Sequence, residues 1–186
     1  MNFKQFLQEV KRTNTGEGDF GYDTPEGRQY EYERFKENGS KIGNIEGQPV
    51  YKLKAGSGLS FAVLDEENES IDFMSQLEID EEILGVQGYS QSGIWKDRLA
   101  KFQATDVINI ILNEVKLLIS DRYQTDDGKK LWINLFKSYG YIRRCGVYNP
   151  RDDSVIEYKD LKSTDKVKQI IEIGYDHKDL VFFMFK

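Results

Sequence analysis

Val115-Lys116-Leu117-Leu118-Ile119-Ser120-Asp121, followed closely by the run from Thr125 to Tyr139, decides how this chain folds. The five residues from Val115 to Ile119 hold one lysine among apolar side chains. They are too few for a helix and read as a buried strand that ends at Ser120-Asp121. The next run has another period. Thr125 suits an N-cap, Asp126 and Asp127 favour the positive end of a helix, and Leu131, Trp132, Leu135 and Phe136 recur at spacings of one turn. Gly140 stops that helix. On the other side of the strand, Thr105 or Asp106 caps a helix through Val107, Ile108, Ile111 and Leu112. A helix, a buried strand and a second helix make the domain α/β.

Working outward, Tyr141 to Tyr148, Asp153 to Tyr158 and Leu180 to Phe185 read as further strands, and Asp165 to Ile173 fits a helix or a strand. Upstream of the helix pair, Val50 to Lys54, Leu59 to Leu64 and Ile71 to Leu77 are short strands separated by polar turns, an antiparallel meander. Between meander and helix lie the Gly-rich stretch Gly85 to Gly93 and Ile94 to Phe102, whose apolar spacing fits either period. Before Gln48 the chain is Gly-rich and polar. There Phe3, Phe6, Leu7 and Val10 line a short helix, Glu26 to Glu37 looks helical, and the remaining aromatics are scattered. This divides the chain into an N-terminal helix and irregular arm over residues 1–48 and an α/β domain over residues 49–186.

Composition removes whole classes of function. The chain has 186 residues, of which 39% are hydrophobic, enough for a real core in one domain. No apolar run reaches the roughly 20 residues of a membrane span, and the start has no signal-peptide core, so no membrane partner and a cytoplasmic location are expected. Cys145 is the only cysteine and His177 the only histidine, which leaves disulfide frameworks, Cys/His zinc sites and histidine-based triads short of parts. Residues 1–100 carry 11 basic and 19 acidic side chains, a net of −8, and residues 101–186 carry 15 and 13, a net of +2. Neither half has the positive surface that nucleic acid requires. The acidic runs Asp65 to Glu69 and Asp80 to Glu82 read as solvated loop tips.

Several residues invite chemistry, each beside a plainer alternative. The glycines of 85–93 suit a phosphate loop or a hairpin, but no Walker or GxGxxG spacing is present. Asp121, at the C-terminal end of a buried strand, is placed to act as a base or to cap a turn. Trp132 is a stacking platform or a core residue. Cys145 beside Arg144 is an activated thiolate or an inert buried thiol, and His177 is a turn residue.

The segment Leu135-Phe136-Lys137-Ser138-Tyr139-Gly140-Tyr141, together with the order of elements from Val50 onward, resembles the GNAT superfamily of acyl-CoA N-acyltransferases. It is similar to the Leu-Tyr-x-x-x-Gly-Phe ending of the helix that packs beside coenzyme A. The resemblance spans about two thirds of the chain. It implies a mixed sheet splayed near its middle with helices on both faces. It also implies acetyl-CoA or another acyl-CoA as cofactor, and an amine-bearing small molecule or protein as acceptor. Gln103, Ala104 and Thr105 would offer backbone N–H groups to the pyrophosphate, and Asp121 or Tyr139 would handle protons. Two positions depart from the family. Phe136 stands where its proton-donating Tyr belongs, which leaves Tyr139 or Tyr123 as substitutes, and Lys101-Phe102-Gln103-Ala104-Thr105 lacks the glycines of the pyrophosphate loop. A non-catalytic GNAT-shaped accessory protein that binds a host or virion protein is the competing expectation.

The string Ser120-Asp121, Thr125, Gly128 and Trp132 resembles divergent phage members of that superfamily. Met1 to Glu9, ending in Leu7-Gln8-Glu9, resembles the capsid-targeting peptides of large tailed phages, which a prohead protease removes. An ordinary amphipathic helix fits the same residues. The resemblance implies host cytoplasm as the location, with packaging in the virion as an extension.

Overall fold

In a computed structural model, residues 24–121, 126–158 and 180–186 are described. The chain enters through α1 (Pro25–Asn38). Thr24 caps it, its Oγ1 accepting from Gly27 N at 3.1 Å, with Pro25 in the first turn where its missing N–H costs nothing. Five antiparallel strands follow: β1 (Ser40–Ile45), β2 (Gln48–Ala55), β3 (Gly58–Asp65), β4 (Ser70–Ile83) and β5 (Val86–Lys96). Then come α2 (Ala104–Glu114), β6 (Leu117–Ile119), α3 (Asp126–Tyr139), β7 (Cys145–Asn149), β8 (Ser154–Glu157) and β9 (Val181–Phe185). Among the described residues these strands form one mixed sheet in the order β1-β2-β3-β4-β5-β6-β9-β7-β8.

The one parallel pairing sits in the middle. β5 and β6 share two residue pairs, Tyr89 with Leu118 and Ser90 with Ile119, and β5 then runs on to Lys96 without a β6 partner. Among the described residues, β6 therefore accompanies β5 only as far as Ser90. Closeness where the two strands pair depends on Gly88, where a Cβ would overlap Ile119 Cδ1. The last strand, β9, lies between β6 and β7 and runs antiparallel to both.

Alternation along β3 distributes its apolar side chains between two cores. Phe61 and Val63 join the larger core with Val107, Ile111, Trp132, Leu135 and Phe136, whereas Ala62 and Leu64 pack with Phe35 of α1. Helices thus cover both faces, as expected for an α/β domain, with α1 on one and α2 and α3 on the other.

Two expectations need correction, and two open readings are decided. The boundary at residue 48 cuts through the β1–β2 hairpin, and Phe35 is fully buried, so residues 25–48 belong to the domain. The Gly-rich stretch is most of β5, closed onto β4 by a tight turn at Leu84-Gly85, so the hairpin reading holds over the phosphate-loop reading. Within 94–102, Ile94 to Lys96 continue β5 and the rest is a turn. Residues 141–144 are turn rather than strand, because Ile142 N and Arg143 N bond back to Tyr139 O at 3.0 and 2.9 Å. The expectations for residues 1–23, Tyr123, Thr125, residues 165–173 and His177 lie outside the described residues.

Candidate functional site

Phe136 lies in a cage of rings. It is 3% exposed, with ring centroids 6.0 Å from Trp132, 5.8 Å from Tyr158 and 5.5 Å from Phe182. The cage follows from the helix period, since Trp132 and Phe136 are four residues apart and share the face of α3 turned to the sheet. Trp132 stacks on Phe182 at an interplanar angle of 25°. It is therefore a core residue and not a platform for a cofactor. Cys145 is buried too, and burial pushes its thiol up to about 12, so it stays a protonated, inert thiol.

Tyr139 closes α3 and reaches α2, where its hydroxyl donates to Asp106 Oδ1 at 2.8 Å. Burial first, then this bond and the Asp106 charge, raise its hydroxyl to about 12. A cysteine-like thiol has a reference pKa near 8.5, so a hydroxyl held at about 12 is the weaker acid and a poor proton donor to such a thiolate. Asp121 belongs to a different neighbourhood. It is exposed and follows Ser120, whose Oγ accepts from Phe182 N at 2.9 Å and whose N–H donates to Phe182 O at 2.8 Å. The two candidates for proton handling are thus tied to different elements, Tyr139 to α2 and Asp121 to the β6–β9 pair.

Gln103, Ala104 and Thr105 do open α2, directly after the loop that leaves β5. Gln103 stands at the N-cap and makes no side-chain cap, so its side chain satisfies none of the first N–H groups of the helix. Their electrostatics are unhelpful to phosphate. Asp106 already occupies the first turn with its own carboxylate. Ahead of them, Phe102 is buried and meets Phe73 edge-on at 6.5 Å, while Lys96 Nζ lies over its ring and donates to Ala100 O at 2.9 Å. The loop is thereby held by packing.

On that same loop stands a feature that no motif announced. A cleft of about 700 Å³ opens where the β1–β2 turn, the β3–β4 turn and the loop after β5 converge. Six carboxylates line it, Glu46, Asp65, Glu66, Glu67, Asp72 and Asp97, against Arg28 and Lys101, and Glu66 is also paired with Lys36 at 2.6 Å. Asp72 accepts from Gln48 Nε2 at 2.7 Å, and burial, together with the neighbouring Asp65 and Asp97, raises its carboxyl above the ordinary range. Arg28 reaches in from α1, donates to Asp97 Oδ2 at 2.6 Å and lies 5.8 Å over the Trp95 ring. These residues come from five separate stretches of chain. The acidic run after Leu64 was the one visible signal, and it read as a solvated tip.

Among the described residues, no group of three or more His, Cys, Asp or Glu side chains is arranged to hold a metal ion, and no helix is long and apolar enough to cross a membrane. No family model matches the chain, and no curated protein is significantly similar to it.

Proposed function

We propose that this chain is a GNAT-shaped protein that binds a positively charged partner and does not turn over acyl-CoA. The observation that carries the reading is the cage around Phe136. At the position where the superfamily keeps its general acid, the side chain has no proton and no access to solvent. The nearby Tyr139 is engaged with Asp106, and the loop before α2 borders a cleft of carboxylates. That cleft suits an ammonium or guanidinium group and opposes a pyrophosphate. A basic segment of a host or virion protein fits it best, in keeping with the phage-like strings in the sequence. A host cytoplasmic location, with packaging in the virion, belongs to the same proposal.

A second reading, N-acylation of an amine with acetyl-CoA, is favoured by one feature. Among the described residues, the β5 edge beyond Ser90 has no β6 partner, and α2 is the next element along the chain. In this reading an extended chain lies along that edge with its anionic end toward the N–H groups of Ala104 and Thr105, and catalysis rests on alignment alone. A thiol-release assay with acetyl-CoA and a panel of amines separates the two. Silence across the panel is expected. Turnover that is lost in Thr105→Trp would establish the acyltransferase reading instead.

A further inference from the structure

The hairpin between β4 and β5 projects beyond its neighbour, since the last β3 partner on β4 is Leu77 while β4 continues to Ile83. Its tip is a two-residue turn in which Leu84 has φ 53° and Gly85 φ 77°. Turns of this kind favour Asn or Asp followed by Gly, because a side chain with a bulky Cγ is strained at positive φ. The other tight turn of this class, Glu46-Gly47, carries a polar residue at the strained position. At the β4–β5 tip the strained residue is a leucine, and it is 48% exposed. Neither turn chemistry nor core packing accounts for that choice. Backbone strain of this sort persists where a side chain is needed for something else.

The surroundings state what it fits. Ile79, also exposed, and four carboxylates, Glu78, Asp80, Glu81 and Glu82, precede the tip, giving an apolar point with an acidic collar. A surface of opposite character exists on the same chain, in the turn after α3. Tyr141 and Ile142 are 78% and 64% exposed. Exposed Lys137 lies one turn earlier. Arg143 spends its hydrogen bonds on the neutral amides of Asn109 and Asn113, so those bonds leave its charge uncancelled. We propose that the β4–β5 tip is a self-association element that seats Leu84 against the Tyr141–Ile142 surface of a second copy. Apolar anchors inside a charged rim are the common form of an interface hot spot, and opposite rims fix the pairing. This inference stands apart from the acyl-CoA question, since neither surface contributes to the cleft or to the Phe136 cage.

Sedimentation velocity on the full chain over a wide concentration range tests it. Wild type is expected to self-associate, and to do so more weakly as salt rises from about 0.05 to about 0.5 M. Leu84→Asn should weaken association by about tenfold or more, and so should Tyr141→Ser combined with Ile142→Ser. Leu84→Asn should at the same time raise Tm, by about 2–4 °C, because Asn accepts positive φ. That opposite movement of stability and association is something a purely structural leucine would not produce. A wild-type monomer at every concentration overturns the proposal, as does association that Leu84→Asn leaves unchanged. A Tm that falls in Leu84→Asn at a concentration where both proteins are monomeric also overturns it, by showing that the leucine supports the fold.

Discussion

The space between α3 and the sheet and the cleft at the strand ends are built from opposite materials. In the first, Trp132, Phe136, Phe182 and Tyr158 fill the volume with rings. In the second, six carboxylates share a cleft of about 700 Å³ with two cations. A general acid needs a titratable proton beside the reacting atom, and the ring cage contains none at residue 136. A recognition surface for a cation needs converging negative charge, and the cleft has it. The difference teaches that packing and charge are concentrated in separate places in this molecule, rings beneath α3 and carboxylates at the ends of the strands.

The sharpest way to break that contrast is to open the cage. Trp132→Ala removes the largest fully buried side chain and should cost about 3–5 kcal/mol in urea unfolding. A cost below about 1 kcal/mol would mean that the rings are not the keystone of the larger core. Phe136→Tyr is the next test, because it adds the hydroxyl that the proposed GNAT likeness would call for at this position. With rings on three sides the added hydroxyl is carried into a buried aromatic site, so a loss of about 1–3 kcal/mol and no gain in thiol release are expected. Thiol release appearing in that variant would show that catalysis was one atom away.

The cleft can be sharpened by pH. Asp72 has a folded-state carboxyl raised above its unfolded value, so its stabilising form is the protonated one, present below about pH 4 and lost as pH rises through the raised value. Its charge at neutral pH is therefore a net cost. Asp72→Asn still accepts from Gln48 and should be as stable as wild type or more so at pH 7, by less than about 1 kcal/mol given its partial exposure. The two proteins should converge in acid. Tyr139→Phe has the smallest effect. The raised hydroxyl of Tyr139 favours folding below about pH 10 and loses that contribution between about pH 10 and its folded value of about 12. Wild type should lose stability in that window to a degree that Tyr139→Phe does not. Equal alkaline curves would remove the Asp106 bond from the account.

Much of the α/β frame was legible because its elements keep one period each. Val107, Ile108, Ile111 and Leu112 lie on one face of α2, and Leu59 to Leu64 run without a break through the buried centre of the sheet. The helix at 26–37 was legible as a helix but not as part of the domain. Phe35 is its one buried apolar side chain, beside Gly27 and Glu31, so no stripe announced its inner face. β1 was missed because Ser40-Lys41-Ile42-Gly43-Asn44-Ile45 has weak strand formers and sits at the sheet edge. β5 hid behind its glycines, of which Gly88 is required by the approach of Ile119. Of the site residues, Asp121, Tyr139 and Gln103 to Thr105 stand where their elements put them, yet the structure does not bring the first two together. The cleft was beyond reading, since Arg28, Gln48, Asp65, Asp72 and Asp97 meet through tertiary pairing alone.

The central claim, binding of a cation-bearing partner without acyl-CoA turnover, is tested most directly by the thermal shift of the full chain in millimolar coenzyme A or acetyl-CoA. A ligand at about a hundred times its dissociation constant adds about 2.7 kcal/mol to the folded state. The account predicts no rise in Tm with either compound. A clear, saturating rise that disappears in Thr105→Trp would contradict it, because it would place an anionic cofactor at the very helix start that Asp106 and the acidic cleft are held to exclude.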